Sequence, residues 1–180
     1  MLFDLRKLRG DREHVQRTFE PTAFDPQDED YTVASPAELS MDVEKADGDA
    51  FRVTGHVTTK LELACSRCLE PFEVPVDAAF ELRYVRQSEN VGHGNGDERE
   101  IAEDDLTMAY YRDGALDVTE MLREQFQLAL PMKPLCSDAC RGLCSQCGAN
   151  LNRTTCACTP TWEDPRLAAL KGLLDRQKEN

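Results

Sequence analysis

The stretch Phe51-Arg52-Val53-Thr54-Gly55-His56-Val57-Thr58-Thr59-Lys60-Leu61-Glu62-Leu63-Ala64-Cys65-Ser66-Arg67-Cys68 decides how this chain folds. It is rich in β-branched residues and alternates apolar with polar side chains, the pattern of a strand with one buried face. It runs straight into a Cys-x-x-Cys. After Cys68 the chain leaves through Pro71-Phe72-Glu73-Val74-Pro75-Val76 and then Ala79-Phe80-Glu81-Leu82-Arg83-Tyr84-Val85, again strand-like. Residues 65–68 therefore belong at the tip of a hairpin, where one tight turn can aim two sulfurs at a single ion. Upstream, Leu39-Ser40-Met41-Asp42-Val43-Glu44 alternates as well. The turn signal Asp47-Gly48-Asp49 joins it to the strand from Phe51 as a first hairpin.

Outward from this centre the signals thin. Met1–Leu8 and Arg12–Glu20 alternate, are broken by Gly10-Asp11, and are expected to pair with each other. Glu20–Tyr31, punctuated by Pro21 and Pro26, reads as loop. Gln87–Glu100, with Gly92, Gly94 and Gly96, reads as a flexible loop, and Glu98–Asp105 as solvated acidic surface. A helix is expected from Asp117 to about 130. Asp117 caps it, Glu120 completes a capping-box pattern, Val118, Met121, Leu122, Phe126 and Ala129 form an apolar stripe, and Pro131 and Pro134 stop it. A short last helix is expected near Asp164-Pro165, carrying Leu167, Leu170, Leu173 and Leu174. The resulting fold class is α+β: an antiparallel, partly barrel-like sheet up to about residue 86, joined by a strand near Met108–Tyr111, with the helix packed on it. A sheet domain over 1–134 and a cysteine-rich, zinc-ribbon-like module over 135–180 would pack as one unit.

Eight cysteines supply the chemistry. Besides Cys65 and Cys68 they are Cys136, Cys140, Cys144, Cys147, Cys156 and Cys158, at intervals x3, x3, x2, x8 and x1. Tetrahedral zinc takes four soft ligands, usually a pair from each of two knuckles. Cys144-Ser145-Gln146-Cys147-Gly148 is such a knuckle, with Gly148 suited to the positive φ that follows it. Cys156-Ala157-Cys158 is the nearest second pair, and the short span of residues 144–158 favours closing that set locally. Cys65, Cys68, Cys136 and Cys140 then form a second zinc set. The alternative division, Cys136, Cys140, Cys144 and Cys147 against Cys65, Cys68, Cys156 and Cys158, stays open on spacing alone. Cys140, Cys144 and Cys147 also match the spacing of radical iron–sulfur ligands, but those lie early in large α/β barrels. A thioredoxin-like role for Cys65 and Cys68 would need a helix start in a βαβ unit rather than a hairpin tip. Structural disulfides would need an oxidising compartment.

Composition narrows the partners. With a formal net charge of −13, the chain lacks the diffuse positive field that drives non-specific nucleic-acid binding. Each four-thiolate zinc site adds a further net −2. Contact with RNA would have to come through a local basic patch, and Arg67, Lys133 and Arg141 beside the candidate ligands are the residues available. Their ordinary reading is that they offset thiolate charge and meet solvent. His14, His56 and His93 are scattered outside any metal spacing, and no phosphate loop or nucleophile–base constellation is present. The amphipathic Met1–Leu8 is too short in apolar content for a signal peptide, so a reducing cytoplasm is expected. No membrane partner, small-molecule substrate or enzymatic activity is indicated.

The same residues carry a family resemblance. Cys65-x-x-Cys68 followed by Glu70-Pro71-Phe72, and Leu130-Pro131-Met132-Lys133-Pro134-Leu135-Cys136, resemble the bacterial YceD family. So does Cys140-Arg141-Gly142-Leu143-Cys144-Ser145-Gln146-Cys147-Gly148-Ala149-Asn150-Leu151-Asn152, completed by Cys156-x-Cys158 and Asp164-Pro165-Arg166-Leu167. These are the large ribosomal RNA subunit accumulation proteins, long a domain of unknown function. The specific motifs cover residues 65–72 and 116–170, and the first 60 residues match only in style. Ser145 stands where many relatives carry proline, a change that leaves the ligands untouched. The resemblance implies a non-enzymatic cytoplasmic factor needed for accumulation of large-subunit (23S) ribosomal RNA, with that RNA or its precursor particle as partner. Acidity suggests a different class, an adaptor or chaperone for a basic ribosomal protein. Clustered thiolates also admit a redox-responsive zinc protein.

Overall fold

Alternate residues of Phe51–Ala64 are buried in the computed structural model of the protein, which describes residues 1–8, 10–24, 30–87 and 108–158. Val53, Val57, Thr59, Leu61 and Leu63 point inward, while Arg52, His56, Lys60 and Glu62 are exposed. The chain divides into two compact units. One is Met1–Cys65 with Glu70–Cys136, and the other is Ser66–Leu69 with the residues from Ser137 onward.

The first unit is mostly sheet. Its strands are β1 (Leu2–Asp4), β2 (Arg12–Phe19), β3 (Tyr31–Val33), β4 (Ala37–Lys45), β5 (Phe51–Ala64), β6 (Pro71–Arg86), β7 (Met108–Tyr111) and β8 (Ala115–Asp117), followed by helix α1 (Val118–Ala129). The main sheet has the order β2-β4-β5-β6-β7, with β3 pairing β5 beyond the end of β4. β5 and β6 pair without interruption from Phe51↔Tyr84 to Ala64↔Pro71. The inward set of one strand therefore lies beside the inward set of the other along the whole hairpin.

Four expectations need correction. The sheet is open, not partly barrel-like: β2 and β7 occupy opposite edges. A barrel removes its edges by pairing the first and last strands, and β2 and β7 are not paired. The sheet is also not wholly antiparallel, because β7 runs parallel to β6 from Arg83↔Met108 to Arg86↔Tyr111. The stretches of the first 20 residues do not pair with each other. A 3-10 turn over Leu5–Lys7, with Leu5 buried, redirects the chain. β1 then pairs with β8 in a separate two-stranded sheet, and β2 pairs with β4. Finally, Ala129 is exposed, and Gln125 instead joins Val118, Met121, Leu122 and Phe126 on the buried face of α1. The expected helix near Asp164, and the expected loop and acidic surface over 88–105, lie outside the described residues.

Helix α1 starts where its cap predicts. The Asp117 carboxylate accepts the Thr119 and Glu120 backbone N–H groups at 3.0 and 3.3 Å. Glu120 turns to Arg123 at 3.3 Å. Phe126 is wholly buried and meets Phe24 and Tyr31 edge-on, at 5.3 and 6.3 Å between centroids. Together with Leu39, Met41, Val43, Val53, Val57 and Leu61 these residues make the core.

Gly55 is the tightest point of the sheet. A Cβ there would stand 2.5 Å from Phe80 Cζ, 2.8 Å from Met41 Cβ and 2.9 Å from the Ser40 carbonyl oxygen. The Phe80 ring fills the space that a side chain would take, and Phe80 is the cross-strand partner of Gly55. Gly55→Ala is expected to overpack this site and cost about 1–3 kcal/mol, seen as a lower Tm in thermal melts followed by far-UV circular dichroism. A melt identical to the parent chain would contradict the packing. Asp117→Ala is expected to cost about 1 kcal/mol through loss of the cap, and Asp117→Asn, which keeps an acceptor, much less. Equal melts for the two variants would show that the cap is not what Asp117 contributes.

Candidate metal centres

The turn between β5 and β6 is a knuckle. Cys65 N–H donates to the Glu70 carbonyl at 3.0 Å, so the intervening residues curl into a loop that holds Cys65 and Cys68. Leu69, the residue after the second cysteine, takes φ +61°. The segment from Cys144 repeats this design. Cys144 N–H donates to the Ala149 carbonyl at 2.8 Å, Gly148 N–H donates to the Cys144 carbonyl at 2.9 Å, and Gly148 takes φ +71°. A left-handed residue therefore follows the second cysteine in both. Glycine adopts that conformation freely, whereas Leu69 bears a cost of about 1–2 kcal/mol.

None of the eight cysteines is in a disulfide, and they gather into two sets. The sulfurs of Cys65, Cys68, Cys136 and Cys140 all lie within 4.8 Å of one another, as do those of Cys144, Cys147, Cys156 and Cys158. This is the division that local loop closure favours. An ion bound to four thiolates at about 2.3 Å holds its sulfurs about 3.8 Å apart, so each set needs at most a small contraction to take one. In the first set Cys65, Cys68 and Cys140 are buried and Cys136 is exposed. In the second set Cys144 and Cys156 are half-buried, with Cys147 and Cys158 exposed.

The donor chemistry fits a cation. Backbone N–H groups of Cys147 and Gln146, with the Cys156 thiol, pull the Cys144 thiol down to about 6. The Cys147 side chain, with burial next, pushes Cys158 up to about 12. Thiolates packed this closely repel, so the set sheds its remaining protons only when a positive ion offsets the charge. Each set therefore offers four sulfur donors that could hold a metal ion.

The second unit is organised around these knuckles. The Arg67 guanidinium Nη1 donates to the Asp138 and Cys140 carbonyls at 3.1 and 2.9 Å, and the Arg67 carbonyl accepts Leu143 N–H at 3.1 Å. Gly142 sits beneath it with φ +74°, where a Cβ would stand 3.0 Å from the Arg67 carbonyl oxygen. Arg67 thus serves this unit's own backbone before any partner. Lys133 and Arg141 are exposed, and Arg141 N–H donates to Asn152 Oδ1 at 2.7 Å.

His14 lies against Asp42 at 3.0 Å and His56 against Asp77, both on the exposed face of the sheet and outside either cysteine set; His93 lies outside the described residues. The sequence motif includes Asn150 and Asn152 but assigns them no role. The Asn150 carbonyl accepts N–H groups from Arg153 and Thr154, and the Asn152 amide reaches Cys140 Sγ at 3.3 Å. Two asparagines closing a turn beside a cysteine knuckle were the available signal. No helix among the described residues is long and apolar enough to cross a membrane.

A protein from Zea mays described as large ribosomal RNA subunit accumulation protein YCED homolog 1, chloroplastic, is 31% identical over 160 residues, covering 77% of this chain and 54% of that protein. Its namesake from Arabidopsis thaliana is 25% identical over 168 residues, covering 83% and 52%. An uncharacterized protein of Mycobacterium leprae is 25% identical over 121 residues, covering 65% and 50%. The chain spans about half the length of the curated relatives it matches. No solved structure matches it. The family model described as large ribosomal RNA subunit accumulation protein YceD matches residues 53–174, a span that begins in β5 and takes in every cysteine of both sets. The chain belongs to the YceD family.

Proposed function

We propose that this protein is a non-enzymatic factor in ribosome biogenesis that supports the accumulation of large-subunit ribosomal RNA, with two structural zinc ions of four thiolates each. Family membership across 53–174 is the observation that carries the ribosomal part. The two sulfur sets support the zinc part. A structural zinc site is closed, with four protein ligands and no open position for substrate, and four sulfurs per set provide that closure. Bound metal would neutralise part of the thiolate charge and fix loops that have little apolar core of their own.

A second reading, an acidic adaptor for a basic ribosomal protein, is favoured by charge. The formal −13 repels an RNA backbone at long range and attracts a basic chain. The engagement of Arg67 with two carbonyls leaves Lys133 and Arg141 as the remaining named candidates for a phosphate. A redox-responsive zinc protein is the third reading, and exposure of Cys147 and Cys158 supports it.

Elemental analysis of the native protein is expected to give two zinc ions per chain, and Cys144→Ser is expected to remove one of them. Native protein without metal would end the zinc reading. In cell extracts the protein is expected to sediment with large-subunit precursor particles at low salt. If it is absent from those fractions even after crosslinking, the ribosomal role is wrong. Capture of a basic ribosomal protein that survives ribonuclease treatment would select the adaptor over direct RNA contact. Lys133→Glu and Arg141→Glu are expected to weaken particle association only if RNA is touched directly.

A further inference from the structure

The loop between Cys147 and Cys156 carries a side chain that belongs, chemically, to the other cysteine set. Asn152 Nδ2 stands 3.3 Å from Cys140 Sγ. Asn152 Oδ1 accepts Arg141 N–H at 2.7 Å, and this second contact fixes which end of the amide faces sulfur. The loop is folded back on the Cys144 knuckle. Leu143 and Asn150 form a bridge, Leu151 N–H donates to the Gly142 carbonyl at 2.9 Å, and Asn152 N–H donates to Asn150 Oδ1 at 2.9 Å. Both of its ends, Cys147 and Cys156, are ligands of the second set.

An N–H donor to a metal-bound thiolate delocalises its charge and holds its direction, so such outer contacts affect how tightly the ion is held. We propose that Asn152 is a positioning residue that links the two cysteine sets. The loop that the second set closes holds the Asn152 amide on Cys140 of the first set, so metal in either set tightens metal in the other. This rests on the reading that both sets bind metal. The link is reciprocal, because coupling between two binding sites has one free energy whichever ion binds first.

The test is a titration of the full, metal-stripped chain with Co2+, whose thiolate absorption reports occupancy, in competition with a chromophoric chelator. Cys158→Ser, which disables the second set, is expected to weaken Co2+ at the first set about tenfold. Asn152→Ala is expected to weaken it about 10–100-fold, and in that background Cys158→Ser should add nothing. Asn152→Asp separates positioning from loop structure. It keeps the oxygen that accepts Arg141 N–H but sets a carboxylate against the sulfur, so first-set affinity should fall at least as far as with Ala. First-set affinity within twofold of the parent for Asn152→Asp would overturn the proposal. So would an undiminished effect of Cys158→Ser in the Asn152→Ala background. Absence of thiolate absorption at both sets would overturn the metal reading and the link together, and is distinguishable as a missing signal rather than a missing coupling.

Discussion

The uninterrupted pairing of β5 with β6 is the constraint on which the rest of the first unit depends. A side-chain period of two means that a slip by one residue would turn Val53, Val57, Leu61 and Leu63 to solvent, so burial of that face locks the register. The locked register fixes where the hairpin turns, at Cys65. It also sets Gly55 opposite Phe80, where the ring takes the volume of a missing side chain. β4 and β3 then occupy the other side of β5 in succession, which extends the buried face along its length.

The cysteine sets show how a small, loop-rich segment acquires definition. In the second unit the described residues form one isolated bridge, Leu143↔Asn150, and a series of turns, with Cys68, Cys140 and Gly142 buried among otherwise exposed or half-buried neighbours. Hydrogen bonds that Arg67 and Asn152 donate and Asn150 accepts organise the loops, and four converging sulfurs supply the point at which they meet. Thiolates at this distance repel one another, and the Cys147 side chain, with burial next, holds Cys158 above the ordinary thiol range. A divalent cation turns that repulsion into attraction, which is why the metal reading follows from the charge as well as from the spacing.

The reading of function moves from the same facts. Arg67 looked from its position like a possible contact for phosphate, yet its guanidinium is turned to the Asp138 and Cys140 carbonyls. With a formal −13 overall, this shifts weight towards a partner that is itself basic. Asn152, which carries no charge and no ligand atom for the metal, emerges as the residue whose side chain relates one set to the other.

Local chemistry was legible in the sequence because it depends on neighbours in the chain. The alternation of Phe51–Leu63, the turn at 47–49, the Asp117 cap and the hairpin-tip position of Cys65 and Cys68 all follow from periods and turn residues. The short span of residues 144–158 favoured one division of the eight cysteines, but spacing left the other open and the structure decided between them. What needed tertiary structure was every choice between partners distant in the chain. β1 joins β8 rather than β2, and β7 adds to β6 in parallel, because backbone edges pair wherever packing brings them together and leave no mark on the pattern. Gln125 is buried and Ala129 exposed, because the limits of the α1 contact are set by what lies against it. The amide of Asn152 finds Cys140 for the same reason: a side-chain hydrogen bond is decided by where two loops meet, and the sequence specifies only that each residue is able to make it.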